Sequence, residues 1–413
     1  MGDFFTLVDW AVGEDAGFWW KLIGVVAVWA VPITVWVSIV GLFSIWLERK
    51  VSAHIQCRLG PMEVGPHGAL QTLADGVKLL AKEDIIPQGA DRFLFALAPI
   101  LSFVGSFVVF AVVPFGPDLI IADLNLGIYF LAAIGSIEAI GVIAAGWASN
   151  NKWSIFGAVR AATQVVSYEI PLSLSLVTIA CLAGTLSTIG IVESQAGWIW
   201  NWFLFRNPFM VVSFLIFYIA SLAECKRAPF DLPEAESELV SGFHTEYSGM
   251  RFAIFFLAEY AAMYVVSAIG AVLFLGGWYT GIGPLDSWLA TSPVLGNVVG
   301  ALVIITKAFF LVFVQMWLRW TLPRIRLDQM MYLCLKVLVP IGMFVFMAAA
   351  LWQGVFPVED LGGLGSKFGL VWFIVLLVGT SVWVKKTIAQ TKGHAGANFL
   401  DHEARLGHDV GVN

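Results

Sequence analysis

FAIFFLAEYAAMYVVSAIGAVLFL, residues 252–275, decides the fold class: it is apolar on every side, has no proline, and holds a single carboxylate, Glu259. A helix needs about 20 such residues to cross a hydrocarbon layer about 30 Å thick, because every backbone polar group must be bonded within the segment. A water-bounded helix would show one polar face instead. Lipid is therefore the solvent this stretch implies.

Eight further runs extend the pattern, at 22–47, 93–115, 126–148, 168–190, 209–223, 298–318, 332–352 and 369–384. The runs at 209–223 and 369–384 are the shortest. Composition agrees: 59% of the 413 residues are hydrophobic and 13% charged, against roughly 25% charged in an ordinary soluble domain. The expected architecture is an all-α polytopic transmembrane bundle of about nine spans. Residues 1–384 form one domain and 385–413 a polar tail, read as solvated or disordered.

Lys and Arg set the orientation, since short loops rich in them stay on the cytoplasmic side. Eighteen fall on one set of connections and three, Lys21, Arg206 and Lys367, on the other, with Lys307 and Lys336 inside runs. This places the N-terminus outside and the C-terminus inside. The first twenty residues carry Asp3, Asp9, Glu14 and Asp15 and no basic residue, the reverse of a signal-peptide start, so the first run reads as a retained anchor.

Within the inner connection 49–92, Leu70, Leu73, Ala74, Val77 and Leu80 form an apolar stripe opposite Gln71, Asp75, Lys78 and Lys82. That is the pattern of a helix lying in the interface, docked on the membrane surface or under a partner; a merely solvated connecting helix is the alternative. The net charge of −6 forms no basic face, which speaks against nucleic acid as a ligand. Cys57, Cys181, Cys225 and Cys334 are widely spaced and the six histidines show no paired spacing, so no metal or iron–sulfur ligand set is indicated. No internal repeat of the transporter kind is visible.

Glu138, Glu169, Glu259 and Lys307 fall inside predicted spans, while Glu48, Glu224 and Lys336 lie near inner ends, within reach of water. Facing lipid, the first four would cost roughly 10 to 14 kcal/mol together, at about 2.5 to 3.5 kcal/mol each. That rivals a domain's whole stability of about 5 to 15 kcal/mol. They must pair or share a wet interior. A path exchanging protons near neutral pH is one reading; structural ion pairs such as Glu259 with Lys307, or Glu224 with Arg227, are the other.

The inner loop at 224–251 reads ECKRAPFDLPEAESELVSGFHTEYSGMR. Asp231, Glu234, Glu236, Glu238 and Glu246 crowd beside Lys226, Arg227 and Arg251, close enough to alter one another's protonation. Pro229 and Pro233 disfavour a continuous helix. Phe230, Leu232, Leu239, Val240 and Phe243 argue that the loop is packed rather than freely solvated.

Together with LERK at 47–50, QCRLGP at 56–61, GPHGALQTLADGVKLLAKE at 65–83, GWASNNK at 146–152, RAATQVVSYE at 160–169, FFLAEY at 255–260 and PRIRLDQ at 323–329, this loop resembles the H subunit of bacterial NADH:quinone oxidoreductase (respiratory complex I), equivalent to NADH dehydrogenase subunit 1 of the mitochondrial enzyme. The likeness covers about residues 45–336. Any single motif would be weak; as a set they are specific.

The resemblance implies a subunit beneath the hydrophilic arm, with a chamber admitting the quinone headgroup, ubiquinone by expectation, toward the terminal iron–sulfur cluster of a neighbour. NADH, flavin and iron–sulfur clusters would belong to partner subunits, and neighbouring membrane-arm subunits and lipids would complete the surroundings. By motif, Arg49, Arg58, Asp75, Lys78 and Phe230 are expected at the chamber or its entrance. Glu169, Glu224 and Glu259, with Glu48 and Lys307, are expected on a proton path, and Asp231, Glu234, Glu236 and Glu238 in the acidic loop that couples the two. The membrane is the bacterial inner membrane or its mitochondrial equivalent.

Glu138 lies outside the matched motifs, so its role is open, as is that of the segment beyond Pro357. The related membrane subunit of an ion-pumping hydrogenase is the alternative in energy conversion. An autonomous secondary transporter is the alternative from another class, suggested only by the buried charges.

Overall fold

A computed structural model describes residues 26–355, together with Gly24 and the single positions Val371, Ile374, Val375 and Val378. The expected ninth span, apart from those four positions, and the polar tail lie outside the described residues, as does the acidic N-terminal stretch. Among the described residues there is no strand.

The principal helices are α1 Val31–Ile55, preceded by a π-helical turn at Val26–Ala30, α2 Gln71–Ala81, α3 Arg92–Val108, α4 Gly127–Ala148, α5 Lys152–Ala183, α6 Met210–Glu224, α7 Gly249–Phe274, α8 Pro293–Thr321 and α9 Leu327–Val355, which includes a π-helical stretch at Tyr332–Leu338. Seven of them are long and apolar enough to cross a membrane, and α6 is a shorter apolar helix.

The stretch that decides the fold class is also the centre of the bundle. Every residue of α7 from Ala258 to Phe274 is buried, as a helix apolar all round demands. The outer helices show the opposite face: Val31, Val35, Ile39 and Phe43 of α1, at helical spacing, are 44–53% exposed. Such a stripe would be a liability in water and is what acyl chains cover.

Two boundaries differ from expectation. The fourth helix expected to cross the membrane, α5, starts at Lys152 rather than 168, capped by Asn151, whose side chain accepts from the Trp153 amide. Arg160 and Gln164 therefore ride on the same helix as Glu169 rather than on a loop. The first helix continues through Glu48 to Ile55, because Glu48 has partners inside the bundle and does not need water.

Close approach on the α3–α4 seam depends on glycine. A Cβ at Gly105 would stand 2.7 Å from the Glu138 amide nitrogen, and one at Gly141 2.6 Å from that of Ser102, so small residues let the two backbones meet as in other membrane bundles.

Candidate functional site

The ends of α1, α4 and α6 and the starts of α5 and α7 converge on the 224–251 loop, and nearly all buried charge lies there. Arg227, just past α6, is 2% exposed. Its Nη1 donates to Glu48 Oε2 at 2.9 Å, and its Nε forms an ion pair with Glu259 Oε1 at 2.7 Å. Glu48 also accepts from Arg319 Nη1 of α8 at 2.6 Å and from the Tyr260 hydroxyl at 2.8 Å. The Arg227 guanidinium lies 4.2 Å from the Tyr260 ring centroid, adding a cation–π contact.

A second pair flanks this cluster. Lys226 Nζ donates to Glu138 Oε1 at 2.6 Å. Burial pulls the Lys226 amine down, but the charge and hydrogen bond of Glu138 outweigh it and hold the group above its ordinary value. Glu138, left open by the motifs, is thus half of a buried ion pair.

The loop folds back onto α5. Gln164 donates to the carbonyls of Ala223 at 2.7 Å and Phe230 at 3.0 Å, and Ser154 donates to the Phe243 carbonyl at 2.8 Å. Gly242 has φ 59, and a Cβ there would overlap the Pro233 carbonyl oxygen at 1.8 Å, so this turn requires glycine. Phe230, Leu232, Leu239 and Phe243 are each 3% exposed, as the packed-loop reading anticipates, but Val240 is 61% exposed, because its backbone turns over at φ 65. Asp231 pairs with Arg324 at 3.1 Å and Glu238 with Arg160 at 2.6 Å. Glu234 is pushed well above the usual carboxylate range, first by burial and then by Glu259 and Asp231, against the pull of Lys226 and Arg227.

Glu224 and Glu169 line a separate cavity of about 250 Å³ between α4, α5, α6 and α7, with Tyr129, Gly135, Tyr168 and Phe217 among its walls. Glu224 makes no ion pair among the described residues.

At the end of α1, Arg49 Nη1 donates to Asp75 Oδ2 at 2.6 Å, and Lys78 lies 3.8 Å from the same carboxylate. Burial would raise Asp75, but Arg49, with Gln71 and Lys78, holds it below the usual range. Arg58 lines an open pocket of about 510 Å³ with Lys50, His54 and His67. Phe230 does not open onto this pocket; it is packed in the core beside α5 and α6. Among the described residues nothing covers the apolar stripe of α2, with Leu70, Leu73, Val77 and Leu80 50–67% exposed.

Neither ion pair that the sequence offers as the alternative to a proton path forms. Glu259 and Glu48 take Arg227, which leaves Glu224 without it. Lys307 is not near Glu259: its Nζ donates to the carbonyls of Leu275 (2.6 Å), Gly277 (2.9 Å) and Tyr279 (2.6 Å) and lies 4.1 Å from the Trp202 ring. It caps the far end of α7, about 24 Å from Glu259 at 1.5 Å per residue. Gln164, Tyr260 and Arg319 carry no separate signal in the sequence. Gln164 and Tyr260 stand inside the quoted motifs, while Arg319 looks like any loop-end arginine.

Among the described residues, no group of three or more His, Cys, Asp or Glu side chains is placed to hold a metal ion.

An all-α polytopic membrane protein with a buried carboxylate–arginine network at one end is the class that fold and site define. A family model described as NADH dehydrogenase matches residues 28–350. The H subunit of the NADH-quinone oxidoreductase of Chlorobaculum parvum is 56% identical over 339 residues, 81% of this chain and 93% of the relative. The H 2 subunit of Cytophaga hutchinsonii is 48% identical over 343 residues, covering 75% and 94%, and the H subunit of Anaeromyxobacter dehalogenans 46% over 359 residues, covering 83% and 87%. The chain belongs to the NADH dehydrogenase family.

Proposed function

We propose that this chain is the membrane subunit of an NADH:quinone oxidoreductase that forms part of the quinone chamber and passes protons from it into the membrane arm. The observation that carries the reading is the pairing of Glu48 and Glu259 with Arg227 and of Glu138 with Lys226, with Glu234 within the field of both cations, beside a cavity lined by Glu224 and Glu169. Reducing a quinone to quinol consumes two protons and changes the local charge. Carboxylates held in a shared low-dielectric cluster respond to such a change by exchanging protons.

In this reading Arg49, Arg58, Asp75 and Lys78 stand at the chamber mouth, and the 224–251 loop, stapled to α5 by Gln164 and Ser154, joins the chamber to the carboxylates. Phe230 contributes by packing that loop. Glu48, Glu259, Glu224 and Glu169 form the route. Lys307 of α8 is bound at the far end of α7, too distant to serve it directly. The charged end faces the cytoplasm or its equivalent, where the hydrophilic arm with its iron–sulfur clusters would dock, and the exposed stripe of α2 meets lipid or a partner there. The hydrogenase alternative is not favoured, since the relatives are named for quinone oxidoreductase.

Glu224→Gln and Glu259→Gln, each in the assembled complex reconstituted into vesicles, test the route. Quinone reduction and its coupled proton uptake should both fall, by more than tenfold if the carboxyl itself carries the proton. Retention of both activities would remove that residue from the route.

A further inference from the structure

Glu138 and Gly135 lie three residues apart on α4, on one face of the helix, with neighbouring Cβ positions about 5–6 Å apart. Glu138 holds the Lys226 ammonium at 2.6 Å. At Gly135, a Cβ would stand 2.8 Å from Glu224 Oε1. The Glu138 and Glu224 carboxylates therefore meet the same face of α4 about one turn apart.

Lys226 is two residues beyond Glu224, and its left-handed backbone, φ 51, breaks the helix between them. Its ammonium rides on a flexible four-carbon stem. One cation thus acts on two carboxylates: Glu138 holds it, its charge also reaches Glu224, and Glu224 has no ion pair among the described residues. Both side chains of the existing pair are about a tenth exposed, so the ammonium is drawn strongly to whichever nearby carboxylate carries charge.

We propose that Lys226 is a mobile counter-charge on the proton route, parked on Glu138 while Glu224 is protonated and drawn to Glu224 when that carboxyl is ionised, with Glu138 as the positioning residue. The inference rests on the reading above, in which Glu224 carries a proton. When Glu224 releases its proton across the cavity toward Glu169, the carboxylate left behind takes the ammonium. When a proton arrives from the Glu259 side, Glu224 becomes neutral and the ammonium returns to Glu138. Lys226 keeps all its protons in both steps.

The charged and titratable groups facing this exchange are Glu138 from α4, Tyr168 and Glu169 from α5, Glu224, Cys225 and Arg227 at the end of α6, Glu234 from the loop and Glu259 from α7. Glu138 adds negative charge beside Glu224 and Lys226 adds positive charge. Removing them one at a time should move the pH profile of coupled turnover in opposite directions.

The experiment uses the assembled complex in vesicles with Glu138→Gln, Lys226→Met and the double variant, and Glu224→Gln in parallel. The profile should move toward acid in Glu138→Gln and toward alkali in Lys226→Met. The double variant leaves no unpaired buried charge, so it should assemble normally yet lose coupled turnover by roughly tenfold. Wild-type turnover and profile in the double variant, with Glu224→Gln impaired, would overturn the inference alone and make the pair structural. Full activity in Glu224→Gln would overturn the route and the inference with it. Should the double variant fail to assemble, Glu138→Asp decides. It keeps the charge with a shorter reach, so an altered profile is expected, and an unaltered one overturns the proposal.

Discussion

The two ends of α7 meet charge in different ways. In its first half, Glu259 and Tyr260 join a cluster in which side chains from α1, α8 and the loop satisfy one another, and each charge depends on at least one other. At its finish, Lys307 is satisfied by three backbone carbonyls at a helix C-terminus, whose partial negative charge suits a cation. A network of side chains can rearrange when one member gains or loses a proton. A cation held by fixed carbonyls cannot, so the charged end has the properties of a transmitter and the far end those of a clamp.

The largest expected effect breaks the network at its hub. Arg227→Gln leaves Glu259 and one side of Glu48 buried without their cation, a loss of about 3–5 kcal/mol. The amount of assembled complex and its thermal inactivation midpoint should both drop sharply. A variant with normal content and an unshifted midpoint would mean that the cluster is not held by Arg227.

Much of this contrast is legible in the sequence, for reasons that differ by residue. Apolar length gives the helices, and the excess of buried carboxylates announces that partners must exist. The identity of each partner is not legible, because Glu48 and Arg227, or Glu138 and Lys226, are brought together only by the packing of α1, α4 and α6. Nearness in the chain misleads: Glu224 and Arg227 are three apart, yet the chain leaves the helix at Lys226 and turns Arg227 toward Glu48 and Glu259. Lys307 misleads in another way, since a lysine deep in an apolar run reads as a partner for carboxylates when backbone carbonyls serve equally well.

A smaller effect tests the clamp. Lys307→Met leaves three carbonyls without their donor, which costs about 1–3 kcal/mol. Less complex should accumulate, with turnover and proton output per assembled complex unchanged. A fall in proton output at constant quinone reduction would place Lys307 on the route and erase the distinction between the two ends.

The smallest effect concerns acid, and it should appear at the charged end first. His244, packed against Phe243 and Phe252, is lowered by burial from 6.5 to about 4. Its neutral form is the one the folded loop accepts, so its contribution is complete above pH 6.5 and is lost as pH falls toward 4, while the unfolded loop takes up the proton. Glu234 has the opposite sign, because a carboxyl raised in the folded state binds its proton more readily there, and acid then favours the folded loop. Comparing the wild type with His244→Gln separates the two. Protection of residues 236–247 against hydrogen exchange, measured relative to the intrinsic rate at each pH, should fall between pH 6.5 and 4 more in the wild type than in the variant, while protection at the Lys307 end of α7 stays level in both. Equal slopes for the loop in the two proteins would show that His244 does not gate its docking.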